Sequence, residues 1–226
     1  MIRIPRGCVL WLDLTEDTGN ILYDHSGHGN NGKVYGAVLE KRLPFIGRYF
    51  DGVDDYGITQ KNIGISGSNT CTVVTWFNFI EELNPHQRIL GWGAPENSKA
   101  RILALNNHRL EFIGWNNDLV GKTVLEPNRW YFAAVTVDLD GVNNIVSIYI
   151  NDKLDARDTL SELLNTTDSP AGIGIMYNQF SYYHYGYIAH ISIYNRALNL
   201  LEIKYLYEEF QKRVFRRIAP LEIKMR

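Results

Sequence analysis

The chain has 226 residues, 45% of them hydrophobic, with 23 Lys/Arg against 25 Asp/Glu and two cysteines. That length can bury one sizeable core in a single domain, and a formal charge of −2 gives no global pull toward nucleic acid or anionic membrane. Two cysteines are too few for a small scaffold held by disulfides, and no apolar run approaches the roughly 20 residues of a bilayer span.

At the start, Arg3 and Arg6 are followed by apolar residues that Asp13 and Glu16 soon interrupt. No secretory signal is expected, and the chain is expected to be soluble as synthesised. Cys8 and Cys71 are read as two buried thiols, with a single bridge as the alternative. Short runs rich in Val, Ile, Thr and aromatics then recur between Gly, Asn and Asp clusters, the spacing of a sandwich or barrel. Residues 70–79 alternate Thr72, Val74 and Trp76 against Cys71, Val73 and Phe77, and residues 130–137 are apolar on both faces, so both are expected to be central strands. Trp76 and Trp130 read as core anchors. In residues 146–150, Val146, Ile148 and Ile150 point one way and Ser147 and Tyr149 the other. Asn151 and Asp152 supply turn chemistry for a hairpin into residues 154–158.

Helical spacing is found only near the end. Asn199 and Glu202 form an N-cap with its capping-box partner, and Ile203, Leu206, Phe210, Val214 and Ile218 recur along one face. An amphipathic helix is predicted over 200–218, stopped by Pro220. Residues 204–226 carry seven Lys/Arg against three Glu, so an acidic body, with 16 basic and 22 acidic residues, precedes a basic tail. A run of this kind reads as solvated cations on a terminal helix sooner than as a nucleic-acid surface.

Four segments in order resemble one family. DHSGHGNNG at 24–32 is similar to its first loop, YFDGVDDY at 49–56 to a hairpin, YINDKL at 149–154 to a strand pair, and ISIYNRALN at 191–199 to the closing strand and helix start. The chain thus resembles the concanavalin A-like, laminin G-like jelly-roll domains of many bacterial, archaeal and viral surface proteins. The resemblance implies an all-β jelly-roll sandwich of two antiparallel sheets over residues 1–199, with a C-terminal helix and basic tail over 200–226. Gly27, Gly29, Gly32 and Gly52 agree with it independently, as positive-φ turn positions.

The resemblance also implies a structural calcium near the first loop, with Asp24 and Asn30 as ligands; an Asx-turn that caps its own loop is the alternative. Here the closing strand carries Ala189 and His190, where relatives place Asp and Glu. Sugar binding needs aromatic faces and amide or carboxylate groups on exposed loops. Trp115, Asn116, Asn117 and Asp118 have that composition, as do Tyr177, Asn178, Gln179, Tyr182 and Tyr183, and Trp92 stands between two glycines. The same aromatics would also serve at sheet edges or subunit contacts. The Glu-x-Asp-x-x-Glu pattern of the glucanase branch is absent, as are HExxH and Gly-x-Ser-x-Gly, so an enzyme is not expected. His25 and His28 read as solvated loop residues. Two functions remain in view. One is a lectin-like module that binds a glycan at a cell or virion surface. The other is a structural subunit of a virus particle or other assembly, docked on its neighbours through residues 200–226.

Overall fold

The computed structural model describes residues 3–42 and 45–222, with side chains from 3–41 and 46–212. The first half of the chain forms β1 (Cys8–Asp13), β2 (Ile21–Leu22), β3 (Gly32–Tyr35), β4 (Val38–Arg42), β5 (Phe45–Asp51), β6 (Tyr56–Thr59), β7 (Cys71–Phe79), β8 (Gln87–Gly93) and β9 (Ala100–Asn106). It continues through β10 (Arg109–Ile113), β11 (Leu119–Val120), β12 (Trp130–Leu139), β13 (Asn144–Ile150), β14 (Lys153–Thr159), β15 (Gly172–Ile173), β16 (Tyr185–Tyr194) and α1 (Leu200–Glu222).

These strands make two antiparallel sheets. The first runs β14-β13-β12-β7-β16-β5-β4, and β1 pairs with the half of β16 that β5 leaves open. The second runs β11-β10-β9-β8-β15-β6-β3-β2. The expected strands are present, and their alternation sorts side chains as the sequence indicated. Val146, Ile148 and Ile150 enter the core between the sheets with Val73, Phe77, Tyr131 and Val135. Val74, Trp76, Phe132 and Ala134 face the other way.

That second face is covered by α1. Ile203, Leu206 and Phe210 pack on Trp11, Trp76 and Phe132, with the Phe210 ring 4.3 Å from His190 and 5.9 Å from Trp11. Asn199 Oδ1 accepts from the Glu202 N–H at 3.0 Å, and Glu202 Oε2 accepts from the Asn199 N–H at 3.0 Å, which is the predicted capping box. The first turns of the helix therefore belong to the domain's own packing. The apolar face of these turns is buried within the chain itself, while Val214, Ile218 and most of the basic side chains of the docking segment 200–226 lie outside the described ones. The helix also continues to Glu222, past the expected stop at Pro220. Proline's fixed φ fits a helix; in the last turn it costs one hydrogen bond and crowds the carbonyl four residues back, and the backbone still keeps helical form to Glu222.

Both cysteines are buried free thiols, as read from the sequence. Cys8 Sγ donates to the Leu10 carbonyl at 3.2 Å, and burial pushes its pKa up to about 12.

Candidate functional site

α1 covers one outer face of the sandwich, and the outer face of the second sheet takes a different form. Strand register places Tyr35 opposite Tyr56, and it places Arg88, Ala104, Glu111 and Val120 opposite one another across β8, β9, β10 and β11. β15 joins the two halves, because Ile173 pairs with both Gly57 and Leu90. Tyr56, Gly174, Arg88, Ala104 and Glu111 thus follow one row across the sheet, roughly 24 Å from Tyr35 to Glu111 at the usual strand spacing. Gly174 sits in this row at φ +73°, where a Cβ would fall 2.8 Å from the Phe50 ring, so no side chain can stand there.

The loop after Gly174 fills the gap in the row. Met176 bridges to Gly91, and the Tyr177 N–H donates to the Gly91 carbonyl at 3.2 Å, laying residues 176–183 across the sheet. Phe180, 55% exposed, meets Tyr56 edge to face at 5.3 Å, and Tyr56 stacks on Tyr35 at 4.8 Å. At the other end of the loop the Arg88 N–H donates to the Tyr182 carbonyl at 2.8 Å, and the Arg88 guanidinium lies 4.8 Å from the Tyr182 ring centroid. Beyond Ala104, the buried Glu111 is held by His86 Nδ1 at 2.6 Å and by Asn106 Nδ2 at 3.1 Å. Burial drives the Glu111 pKa up, against the His86 and Asn106 bonds that lower it.

Two of the sugar-binding segments expected from sequence meet on this face. Trp115 packs against a small apolar cluster of Ile102, Ala104, Ile113 and Met176, and Met176 begins the 176–183 loop. Trp115 at φ 68°, Asn116 at 60°, Asn178 at 59° and Tyr182 at 57° all hold left-handed backbone, which is costly for bulky side chains. Asn116 and Asn178 are exposed, and Asn116 Nδ2 donates to Asn97 Oδ1 at 2.6 Å. Tyr177, Gln179 and Tyr183 are half-buried along the loop, and burial, Tyr56 and the Asp54 and Asp51 charges push the Tyr183 hydroxyl's pKa up.

Three expected residues have other duties. Trp92 is 1% exposed in the core between the sheets, with Nε1 donating to the Ile65 carbonyl at 3.1 Å, so it cannot offer a face to a ligand. Its strand position has inward parity, which two flanking glycines do not reveal. Asn117 is buried and fastens the 160–162 segment, donating to the Glu162 carbonyl at 2.7 Å and accepting from Ser161 Oγ at 3.1 Å. Asp118 Oδ1 accepts from the Gly114 and Asn117 N–H groups, capping its own loop.

The first loop does not fit calcium. Asp24 Oδ1 accepts from the backbone N–H groups of Trp11 and Ser26, each at 2.9 Å, and Oδ2 accepts from Ser26 Oγ and the Asn30 N–H, each at 2.8 Å. Asn30 turns its amide N–H onto the Val9 carbonyl at 3.0 Å. Four donors aimed at one carboxylate occupy the lone pairs a cation would need. Those bonds hold the Asp24 pKa down despite burial. Asp24→Ala is expected to cost about 2 kcal/mol of stability, from orphaned loop amides, and equally in calcium and in chelator. Urea unfolding in the two buffers checks this. Asp51, Asp54 and Asp55 bring carboxylate oxygens within 4.8 Å of one another. Their geometry is that of a turn, with Asp51 Oδ1 accepting from the N–H groups of Val53, Asp54 and Asp55.

The geometry defines a concanavalin A-like sandwich with an aromatic and polar outer face, and the sequence comparison agrees. A laminin G-type model of the concanavalin A-like lectin/glucanases superfamily matches residues 51–204, more than half of the chain, and the chain belongs to that superfamily. Among curated proteins none matches it in sequence. Similar solved structures include the binding domain of Paraclostridial Mosquitocidal Protein 1, at 17% identity and TM-score 0.69, covering 90% of this chain and 52% of that one. The receptor binding domain of botulinum neurotoxin D is similar at 21% identity and TM-score 0.66, with coverage of 90% and 52%. Domain 4 of AbnA, a GH43 extracellular arabinanase from Geobacillus stearothermophilus solved in complex with arabinotriose, is similar at 15% identity and TM-score 0.59, with coverage of 87% and 96%. The chain spans about half the length of the two toxin binding domains. At these identities the likeness shows the fold alone. In the described residues no helix is long and apolar enough to cross a membrane.

Proposed function

We propose that this chain is a non-catalytic glycan-binding module whose ligand lies along the outer face of its second sheet. The observation that carries the reading is the row itself. Tyr35, Tyr56 and Phe180 present aromatic faces at one end, and the exposed Tyr182 and His86 offer hydrogen-bonding groups at the other. Aromatic faces take the apolar side of a pyranose ring, and convergent polar groups fix its hydroxyls. The superfamily supports the reading, as do neighbours described as binding domains and one solved with a bound arabinose trisaccharide. Against catalysis stands the bonding of the acidic groups, since the Asp51 and Asp55 oxygens serve the turn and Glu111 is buried.

The test is a glycan panel screened with the purified chain and with Phe180→Ala. Phe180 is exposed, so its truncation should leave stability within about 0.5 kcal/mol. Affinity for the panel's best ligand should fall about tenfold, the weight of one well-placed aromatic contact. A panel without a saturable ligand would overturn the proposal, as would full affinity in Phe180→Ala.

A further inference from the structure

The second sheet's outer face holds a buried cation with two of its three guanidinium nitrogens unpartnered. Arg88 is 3% exposed, and its Nε and Nη1 have no hydrogen-bond partner. The Tyr182 ring lies above it. Burial depresses its pKa to about 10, as expected of a charge that has lost water without gaining an anion.

Two other buried arginines show what a structural arginine looks like in this molecule. Arg101, 1% exposed, donates to Thr166 Oγ1 at 2.9 Å, to Cys71 Sγ at 2.8 Å, and to the carbonyls of Gly67 and Asn69 at 3.2 and 2.6 Å. Arg48 donates to the Gly19 carbonyl at 2.7 Å. Each ties down backbone. Arg88 ties down nothing with its guanidinium, although buried polar groups are almost always bonded and an exception calls for a reason.

The surroundings supply one. The residue across β9 from Arg88 is Ala104, whose methyl leaves the row low between Arg88 and Glu111. Glu111, the nearest acid in the row, is already engaged with His86 and Asn106. Tyr182 is the cover, a residue 38% exposed on a loop whose backbone accepts from the Arg88 N–H. Rotation of that one side chain uncovers the guanidinium without moving the sheet.

We infer that Arg88 is an anchor for an anionic group carried by the glycan, a sugar carboxylate or a sulfate ester, which enters beneath Tyr182 and supplies the acceptors Arg88 lacks. The inference rests on the glycan-binding reading and names its ligand class. A planar guanidinium matches such groups through paired N–H donors, and the bond gains strength in a site already cleared of water. The Tyr35, Tyr56 and Phe180 end then holds neighbouring sugars, which carry no required charge.

The test uses the full chain and three matched oligosaccharides: a polyuronate, the same polymer with its carboxyls reduced to alcohols, and a sulfated derivative of the reduced form. The wild type is expected to bind at least one anionic member about tenfold more tightly than the neutral one, with the margin shrinking at high salt. The uronate and sulfate arms show which anion is used. Arg88→Gln should erase the margin between the anionic and neutral members. Equal binding of all three by the wild type, or binding of none, would overturn the inference, while the glycan panel decides the underlying reading separately. Stability gives a second reading without ligand. Arg88→Met should raise Tm by about 2–4 °C, because an unpaired buried cation is removed. A fall in Tm would mark Arg88 as structural and overturn the assignment.

Discussion

Arg101→Met is expected to lower the free energy of unfolding by about 4 kcal/mol or more, among the largest effects a single substitution in this fold can have. Arg101 is 1% exposed, and its guanidinium ties together two loops and a strand: Gly67 and Asn69 before β7, Thr166 before β15, and Cys71 at the start of β7. Removing it leaves the Asn69 carbonyl and the Thr166 hydroxyl without their donor, at about 1–3 kcal/mol each when buried. The Gly67 carbonyl retains the Thr166 N–H. Methionine fills much of the volume, so the loss reports hydrogen bonding more than a cavity. Arg101→Lys should recover only part, because one ammonium cannot reach acceptors arranged around a planar fork. Urea midpoints for the three proteins should fall in the order Arg, Lys, Met. A methionine variant within 1 kcal/mol of wild type would contradict this account of the loops.

The contrast between Arg101 and Arg88 also shows where the sequence was readable and where it was not. In a strand such as 146–150 apolar and polar residues alternate, so polarity itself records which way each residue points. β8 and β9 break that rule. Trp92 and Arg101 lie opposite each other and both point inward, and Arg101 enters a core position because its partners are backbone carbonyls. Carbonyl groups are present at every residue, so no local pattern announces that the acceptors of Arg101 lie at 67 and 69.

The candidate site was legible by segment and not by residue. Trp115 and the 177–183 loop stand out in sequence, because exposed aromatics beside Asn and Gln are unusual outside binding loops. Their meeting on one face depends on Met176 reaching Gly91. Tyr35, Arg88 and Glu111 carry no such mark, and Tyr56 is visible only as part of a hairpin motif. Only the register through β15, two residues long, brings Tyr56 and Arg88 into one row. The first loop shows the opposite failure. Its acidic and amide residues have the chemistry of a cation site, and the four N–H and O–H donors around Asp24 give those residues to the backbone instead.

His184 sits at the C-terminal base of the same loop and should make the domain sensitive to acid. It is fully buried between the edges of Phe50 and Phe77, with Nε2 3.0 Å from the Asn78 carbonyl and Nδ1 without a partner. The ring is therefore neutral with its hydrogen on Nε2, and burial pushes its pKa from 6.5 down to about 4. A depressed histidine favours the folded state fully above pH 6.5. Between pH 6.5 and about 4 the unfolded chain takes up a proton that the folded chain refuses, so stability falls through that window and levels off below it. The gap corresponds to roughly 3 kcal/mol. Because the His184 N–H also donates to the Gly174 carbonyl at 2.9 Å, loss of its packing should loosen the loop that carries Phe180 and Tyr182, and ligand affinity should decline over the same range. In His184→Gln, an amide N–H can replace the bond to Asn78 without a titrating group. Urea midpoints from pH 7 to pH 4 should then fall more steeply for wild type than for the variant, by about 3 kcal/mol over the interval. Parallel profiles would place the acid sensitivity in the carboxylates and remove His184 from the account.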